Sequence, residues 1–206
     1  MKPELKLAMF RAAGLLSLFV VISVALLIAI NAFTQPKIEQ AEQASLIQLL
    51  NQVMPASRYD NNLLEDTKTV TEPDYLGSTE PMTIYRARLN GEPAGLVVET
   101  VAPNGYNGNI RLIVGVFADG RVAGVRVVSH RETPGLGDKI ELRKDDWILS
   151  FNGKTLTEDN VNRWAVKRDR GEFDQFTGAT ITPRAVVGAV KLTLDYVNRH
   201  AEELYD

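Results

Sequence analysis

The sequence predicts an α+β fold carried on a single N-terminal membrane span, and three observations predict it. Residues Ala12 to Pro36 include no charged side chain. Four short β-branched runs, 83–89, 95–102, 110–117 and 122–129, follow one another with turn residues between them. Near the C-terminus, 185–204 repeats Val186, Val190, Leu194 and Val197 at helical spacing.

The uncharged run exceeds the roughly 20 residues that a helix needs to cross the hydrocarbon of a bilayer. It is longer than a signal-peptide apolar region, and no small-x-small cleavage site follows it. Lys2, Lys6 and Arg11 precede the span, whereas Lys37 is followed by Glu39 and Glu42. Basic residues stay on the cytoplasmic side, so residues 1–11 are expected in the cytoplasm, 12–35 in the membrane and the rest outside. Residues 36–80 read as a connector. It opens on an amphipathic helix, with Ile38, Ala41, Ser45 and Leu49 on one stripe, ending before Pro55. An irregular polar stretch, 55–80, carries Asn61, Asn62, Pro73 and Gly77.

Residues 81–206 form the folded domain. Asp119-Gly120 marks a hairpin whose favoured two-residue turn needs positive φ at both positions. Thr182 reads as the N-cap of the last helix and Pro183 as its first helical residue.

Composition narrows the chemistry. The 206 residues include no cysteine, and histidine occurs only at positions 130 and 200. Thiolate ligands, disulfides and multi-histidine metal sites are therefore excluded, and neither a catalytic set nor a metal site is expected. A net charge of −3 gives no global basic field, so nucleic acid is not an expected partner. Redox work would need a borrowed cofactor.

Two stretches concentrate polar groups. In "DQFTGATITPRAV", 174–186, Thr180 lies just before the last helix, where unpaired amides favour an anion, and Gly178 and Ala179 leave the backbone open to a bulky group. A plain helix cap fits the same spacing. In "SHRETPGLGDKI", 129–140, Gly135 and Gly137 make a tight exposed loop rimmed by His130, Glu132 and Thr133. An ordinary turn fits that spacing too. The mixed charges of 163–174 read as a solvated face, and Trp147 and Trp164 as packing residues.

Taken in order, these features resemble a known family. Asp174-Gln175-Phe176-Thr177-Gly178-Ala179-Thr180 is similar to the flavinylation signature Asp-x-x-Ser/Thr-Gly-Ala-Thr at every defined position. Glu132-Thr133-Pro134-Gly135-Leu136-Gly137 resembles the companion loop of the same FMN-binding domain. Span, sheet, loop, signature and helix together resemble the family that forms the G component of the Rnf (Rsx) ion-translocating electron transport complexes. The C component of the sodium-translocating NADH:quinone reductase is a related second match. The resemblance implies FMN held by a phosphodiester bond to Thr180, installed from FAD by a flavin transferase that reads the signature including Asp174 and Thr177. It also implies a flavin site made by Asp174, Thr177, Gly178, Ala179, Glu132, Thr133, Leu136 and Gly137, with Thr133 and loop amides at the ring edge, Leu136 on its face and Arg184 as a cation favouring the reduced anion.

The implied role is electron transfer between neighbouring subunits of a bacterial inner-membrane complex that couples ferredoxin- or NADH-type oxidation to ion movement, with the FMN domain in the periplasm. An unflavinylated assembly protein and a flavin reductase with loosely held FMN are the other readings.

Overall fold

A computed structural model describes residues 3–205, and for residues 3–12, 39 and 42 the backbone alone. Lys2, and the side chains of Lys6, Arg11, Glu39 and Glu42 on which the expected orientation rests, lie outside what is described. The chain divides into two units after Leu46.

Helix α1, Pro3–Val53, joins the expected span and the expected amphipathic helix in one element that runs through Pro36. Within it, Ala13–Val53 is long and apolar enough to cross a membrane. Leu15, Phe19, Leu26 and Phe33 are all exposed, as suits a helix whose surroundings are lipid.

The second unit is built on an antiparallel meander in the order β1-β2-β3-β4-β5. Its strands are β1 (Thr67–Val70), β2 (Met82–Leu89), β3 (Glu92–Gly105), β4 (Gly108–Phe117) and β5 (Val122–Ser129). Alternation gives the sheet two faces. Ile84, Leu96, Val98, Leu112, Val114 and Val116 join Val186, Val190 and Leu194 of helix α3, Ile181–Tyr205, in the main core.

The opposite face carries a glycine seat for the last turn of α1. A Cβ added at Gly124 would stand 2.9 Å from Val53 Cα, and one at Gly95 would stand 2.5 Å from Met54 Cε. At Gly115, which pairs with Gly124, it would overlap the Val53 carbonyl oxygen. Leu50, Val53 and Met54 are fully buried there.

Three sequence expectations change. The polar stretch 55–80 contains β1 and the short helix α2, Pro73–Leu76, closed by Gly77 at φ 67°. A four-residue edge strand reading Thr-Lys-Thr-Val shows too little alternation to be legible. The Asp119-Gly120 hairpin has positive φ at Gly120 alone, and bonds from Gly120 N–H to Phe117 O (2.9 Å) and Phe117 N–H to Arg121 O (2.9 Å) close a three-residue loop. The doubly positive turn is Asn90-Gly91, φ 54° and 82°, between β2 and β3. Last, α3 begins at Ile181, so Thr182 lies inside its first turn and is not the N-cap, and Pro183 is its third residue.

Between β5 and α3 the backbone makes only short 3-10 turns, held by Trp147, Phe151, Trp164, Phe173 and Phe176. Ring centroids approach to 4.6 Å for Phe151 and Phe173 and 5.1 Å for Trp147 and Phe176.

The glycine seat predicts opposite signs for two Gly→Ala changes. Gly115→Ala pushes a methyl into backbone and is expected to destabilise the full chain in detergent by about 1–3 kcal/mol. Gly188→Ala, mid-helix with nothing within 4 Å of the new Cβ, is expected to stabilise it by up to about 1 kcal/mol. Urea unfolding followed by tryptophan fluorescence measures both, and an unchanged Gly115→Ala protein would contradict the seat.

Candidate functional site

Thr180 stands directly before α3, a helix of 25 residues whose first amides have no intrahelical acceptor. The residue is half-buried, and it lines a cleft of about 300 Å³. Three segments build that cleft: Tyr106 from the tip of the β3–β4 hairpin; Glu132, Thr133, Leu136 and Gly137 from the following loop; and residues 178–181.

Two devices shape the signature segment. Trp147 Nε1–H donates to the Asp174 carbonyl oxygen at 2.8 Å while its ring meets Phe176, so one buried tryptophan holds both ends of Asp174–Phe176. Gly178 then turns the chain at φ 84°, a conformation L side chains rarely adopt, with Ala179 N–H bonded to Phe176 O at 3.2 Å. The glycine is thus required by the turn as well as by openness. Asp174 and Thr177 are exposed and lie off the cleft wall. Asp174 pairs with Lys167 at 2.5 Å.

The loop after β5 closes on itself, with Leu136 and Gly137 N–H donating to Thr133 O at 3.1 and 3.0 Å. Leu136 remains 43% exposed on the rim, its Cδ2 3.4 Å from where a Cβ on Gly178 would stand. Glu132 turns inward and is 4% exposed. Its carboxylate accepts from the backbone N–H of Asn107 at 2.9 Å and from the Thr182 hydroxyl. Gly137 is fitted so closely that an added Cβ would stand 2.9 Å from Thr182 Oγ1 and from Glu132 Cβ.

This geometry is a helix N-terminus with a hydroxyl at its mouth and an apolar rim. Two family models match the chain: "FMN-binding domain" over residues 105–195 and "RnfG N-terminal region" over residues 1–53. Among curated relatives, the G component of the ion-translocating oxidoreductase complex of Vibrio cholerae is 50% identical, covering 97% of this chain and 96% of that protein. Those of Shewanella piezotolerans and Pseudoalteromonas atlantica are 49% and 51% identical, over 97% and 93% of this chain and 94% and 89% of theirs. The chain belongs to the RnfG family of ion-translocating oxidoreductase complex subunits.

In this RnfG-family chain the cleft brings together six of the expected site residues, Glu132, Thr133, Leu136, Gly137, Gly178 and Ala179, around Thr180. Arg184 is not with them. Its guanidinium pairs with Asp169 through two bonds of 2.6 and 2.9 Å, and it lines a different groove, beside Tyr75 and Pro103. The mixed charges of 163–174 explain this: Asp169 is nearby to claim the cation. Trp147 packs in the core as expected, but its bond to Asp174, like the roles of Tyr106 and Asn107, was not legible, because such partners are revealed only through tertiary contacts.

His130 supports the loop from behind. Nδ1 accepts the Glu132 N–H at 2.9 Å, and Nε2 lies 2.6 Å from Glu141 Oε1. Both ring nitrogens are engaged, as befits a structural histidine. The Arg143 guanidinium, then the His130 ring, holds the Glu141 carboxyl below its ordinary range, against the opposing effect of burial. A carboxyl depressed in the folded state adds stability that is present above the unfolded value of about 4.3 and lost as pH falls through the lower folded value. The stability difference between wild type and Glu141→Gln is therefore expected to be largest near pH 7 and to close below about pH 4. Urea titrations across that range test it, and a constant difference would show that Glu141 acts by packing.

Proposed function

We propose that this chain is an electron-carrying subunit of an ion-translocating oxidoreductase complex, with FMN joined to Thr180 by a phosphodiester bond. The observation that carries the reading is the placement of Thr180. Last residue of the signature Asp174–Thr180, it opens a long helix at the floor of a cleft inside the stretch that matches the FMN-binding domain.

The residues present suit that group. The N-terminus of α3 favours the negative charge of a phosphodiester, and no side chain between Gly178 and Thr180 is larger than a methyl. Leu136 and Tyr106, 43% and 65% exposed, offer apolar surface to a flat ring. Thr133 stands at the cleft wall for the ring's polar atoms, whereas the Glu132, Leu136 and Gly137 amides are taken up within the loop by His130 Nδ1 and the Thr133 carbonyl. Bound there, flavin supplies one- and two-electron transfer, which no side chain of this chain can perform.

Attachment is a transfer reaction. Thr180 Oγ1 forms the new bond to the FMN phosphorus of FAD, the pyrophosphate bond breaks, AMP leaves and the hydroxyl proton passes to a base or water. A separate flavin transferase is the proposed catalyst, and exposed Asp174 and Thr177 are available for it to read. The tether then keeps the flavin at high local concentration whatever its affinity. The basic residues before the span support a domain in the periplasm of a bacterial inner membrane. Electron input of the ferredoxin or NADH type reaches it through the other subunits.

Full-length protein made with and without an active flavin transferase, run on a denaturing gel under ultraviolet light, tests the attachment. A fluorescent band that requires the transferase, disappears in Thr180→Val and persists in Thr177→Val is expected. Absence of a band with active transferase would overturn the reading, and flavin released by denaturation would point to non-covalent binding. A periplasm-active reporter fused after residue 206 is expected to be active, and activity from a cytosolic reporter alone would reverse the topology.

A further inference from the structure

The sign of the charge at the cleft is the reverse of what Arg184 would have supplied. Of the side chains that line it, only Glu132 is charged. That carboxylate is 4% exposed, and among the described residues no Lys, Arg or His forms an ion pair with it. Arg131, exposed beside Glu132 in the chain, and Lys139 in the next turn form no ion pair with it, and other nearby cations are engaged elsewhere. Arg143 is on Glu141, Arg184 on Asp169 and Lys167 on Asp174, while Lys144 lies 3.7 Å from the buried carboxylate of Asp138.

Glu132 is instead held by two neutral donors, Asn107 N–H and the Thr182 hydroxyl, each next to a residue of one of the other two cleft walls. Low surrounding dielectric strengthens the field of such a charge, because little water reaches it. Hydrogen bonds from neutral donors stabilise the carboxylate without cancelling its charge.

We propose that Glu132 is a tuning residue, whose buried carboxylate lowers the midpoint potential of the flavin carried on Thr180. The inference rests on the flavin reading above. Adding two electrons and one proton to a flavin ring adds one negative charge, and a neighbouring carboxylate with no countercharge opposes it. The electrons come from a reduced redox protein in the complex, or from dithionite in a titration, and the proton from water.

Glu132→Gln removes the charge while keeping an acceptor for Asn107 N–H and a partner for the Thr182 hydroxyl. Dithionite titration of the full-length flavinylated protein, monitored by flavin absorbance, is expected to show a positive shift corresponding to at least about tenfold in the reduction equilibrium, about 30 mV for a two-electron couple. Glu132→Asp, which keeps the charge, is expected to stay close to wild type. Thr182→Val keeps the carboxylate and removes one donor, so the potential is expected to fall or hold. If Thr182→Val raises the potential as Glu132→Gln does, loosening of the cleft is responsible and the proposal is overturned. An unchanged potential in Glu132→Gln overturns it equally. Should Glu132→Gln fail to take up flavin, Tyr106→Lys brings a cation to the same wall. A rise is then expected, and no change would count against Glu132. The fluorescent band is read first in wild type, so absence of attached flavin there refutes the parent reading, whereas attached flavin with equal potentials refutes only this one.

Discussion

Everything at the cleft depends on one buried carboxylate accepting two hydrogen bonds. Glu132 joins the β3–β4 hairpin tip through Asn107, the first turn of α3 through Thr182, and its own loop through the peptide it belongs to. One further polar tie, from Asn107 Nδ2 to Thr133 Oγ1 at 3.3 Å, joins hairpin tip and loop, but among the bonds described only Glu132 reaches all three segments. A buried carboxylate left without donors costs several kcal/mol, so the network constrains the positions of its donors as firmly as they constrain it. Thr180 is two residues from Thr182, and Tyr106 precedes Asn107. The cleft walls are therefore positioned by a group behind them.

A second constraint operates on the far face of the sheet. Gly95, Gly115 and Gly124 leave room for the end of α1, where the Val53 backbone and the Met54 side chain meet the strands. The sheet is covered on one side by α3 and on the other by this helix end. Its interior strands are accordingly apolar in both directions, as Val97 and Val98 of β3 and Ile113 and Val114 of β4 show, all almost fully buried.

Much of this was legible in the sequence, for identifiable reasons. The span, four strands and the last helix were visible because each repeats one physical period for long enough to stand out. The signature and its companion loop were visible because both are contiguous. What stayed hidden was contact between distant segments. Thr182 looked like an N-cap because a threonine before proline at a helix start usually is one, and only the buried Glu132 explains why its hydroxyl is turned to the core instead. Arg184 looked available to a cofactor until Asp169 was placed beside it. β1 was lost because four residues on a sheet edge carry almost no pattern. The Asp119-Gly120 hairpin was found but its turn misassigned, since Asp-Gly fits both a two-residue loop and a three-residue loop ending on glycine.

The central claim is that the hydroxyl in front of α3 is a point of attachment. Peptide mass spectrometry of protein matured with an active flavin transferase tests it most directly. The peptide containing residues 174–186 is expected to gain the mass of FMN less one water, with fragment ions locating the adduct on Thr180. An unmodified Thr180, or an adduct on Thr177 or Thr182, would contradict it.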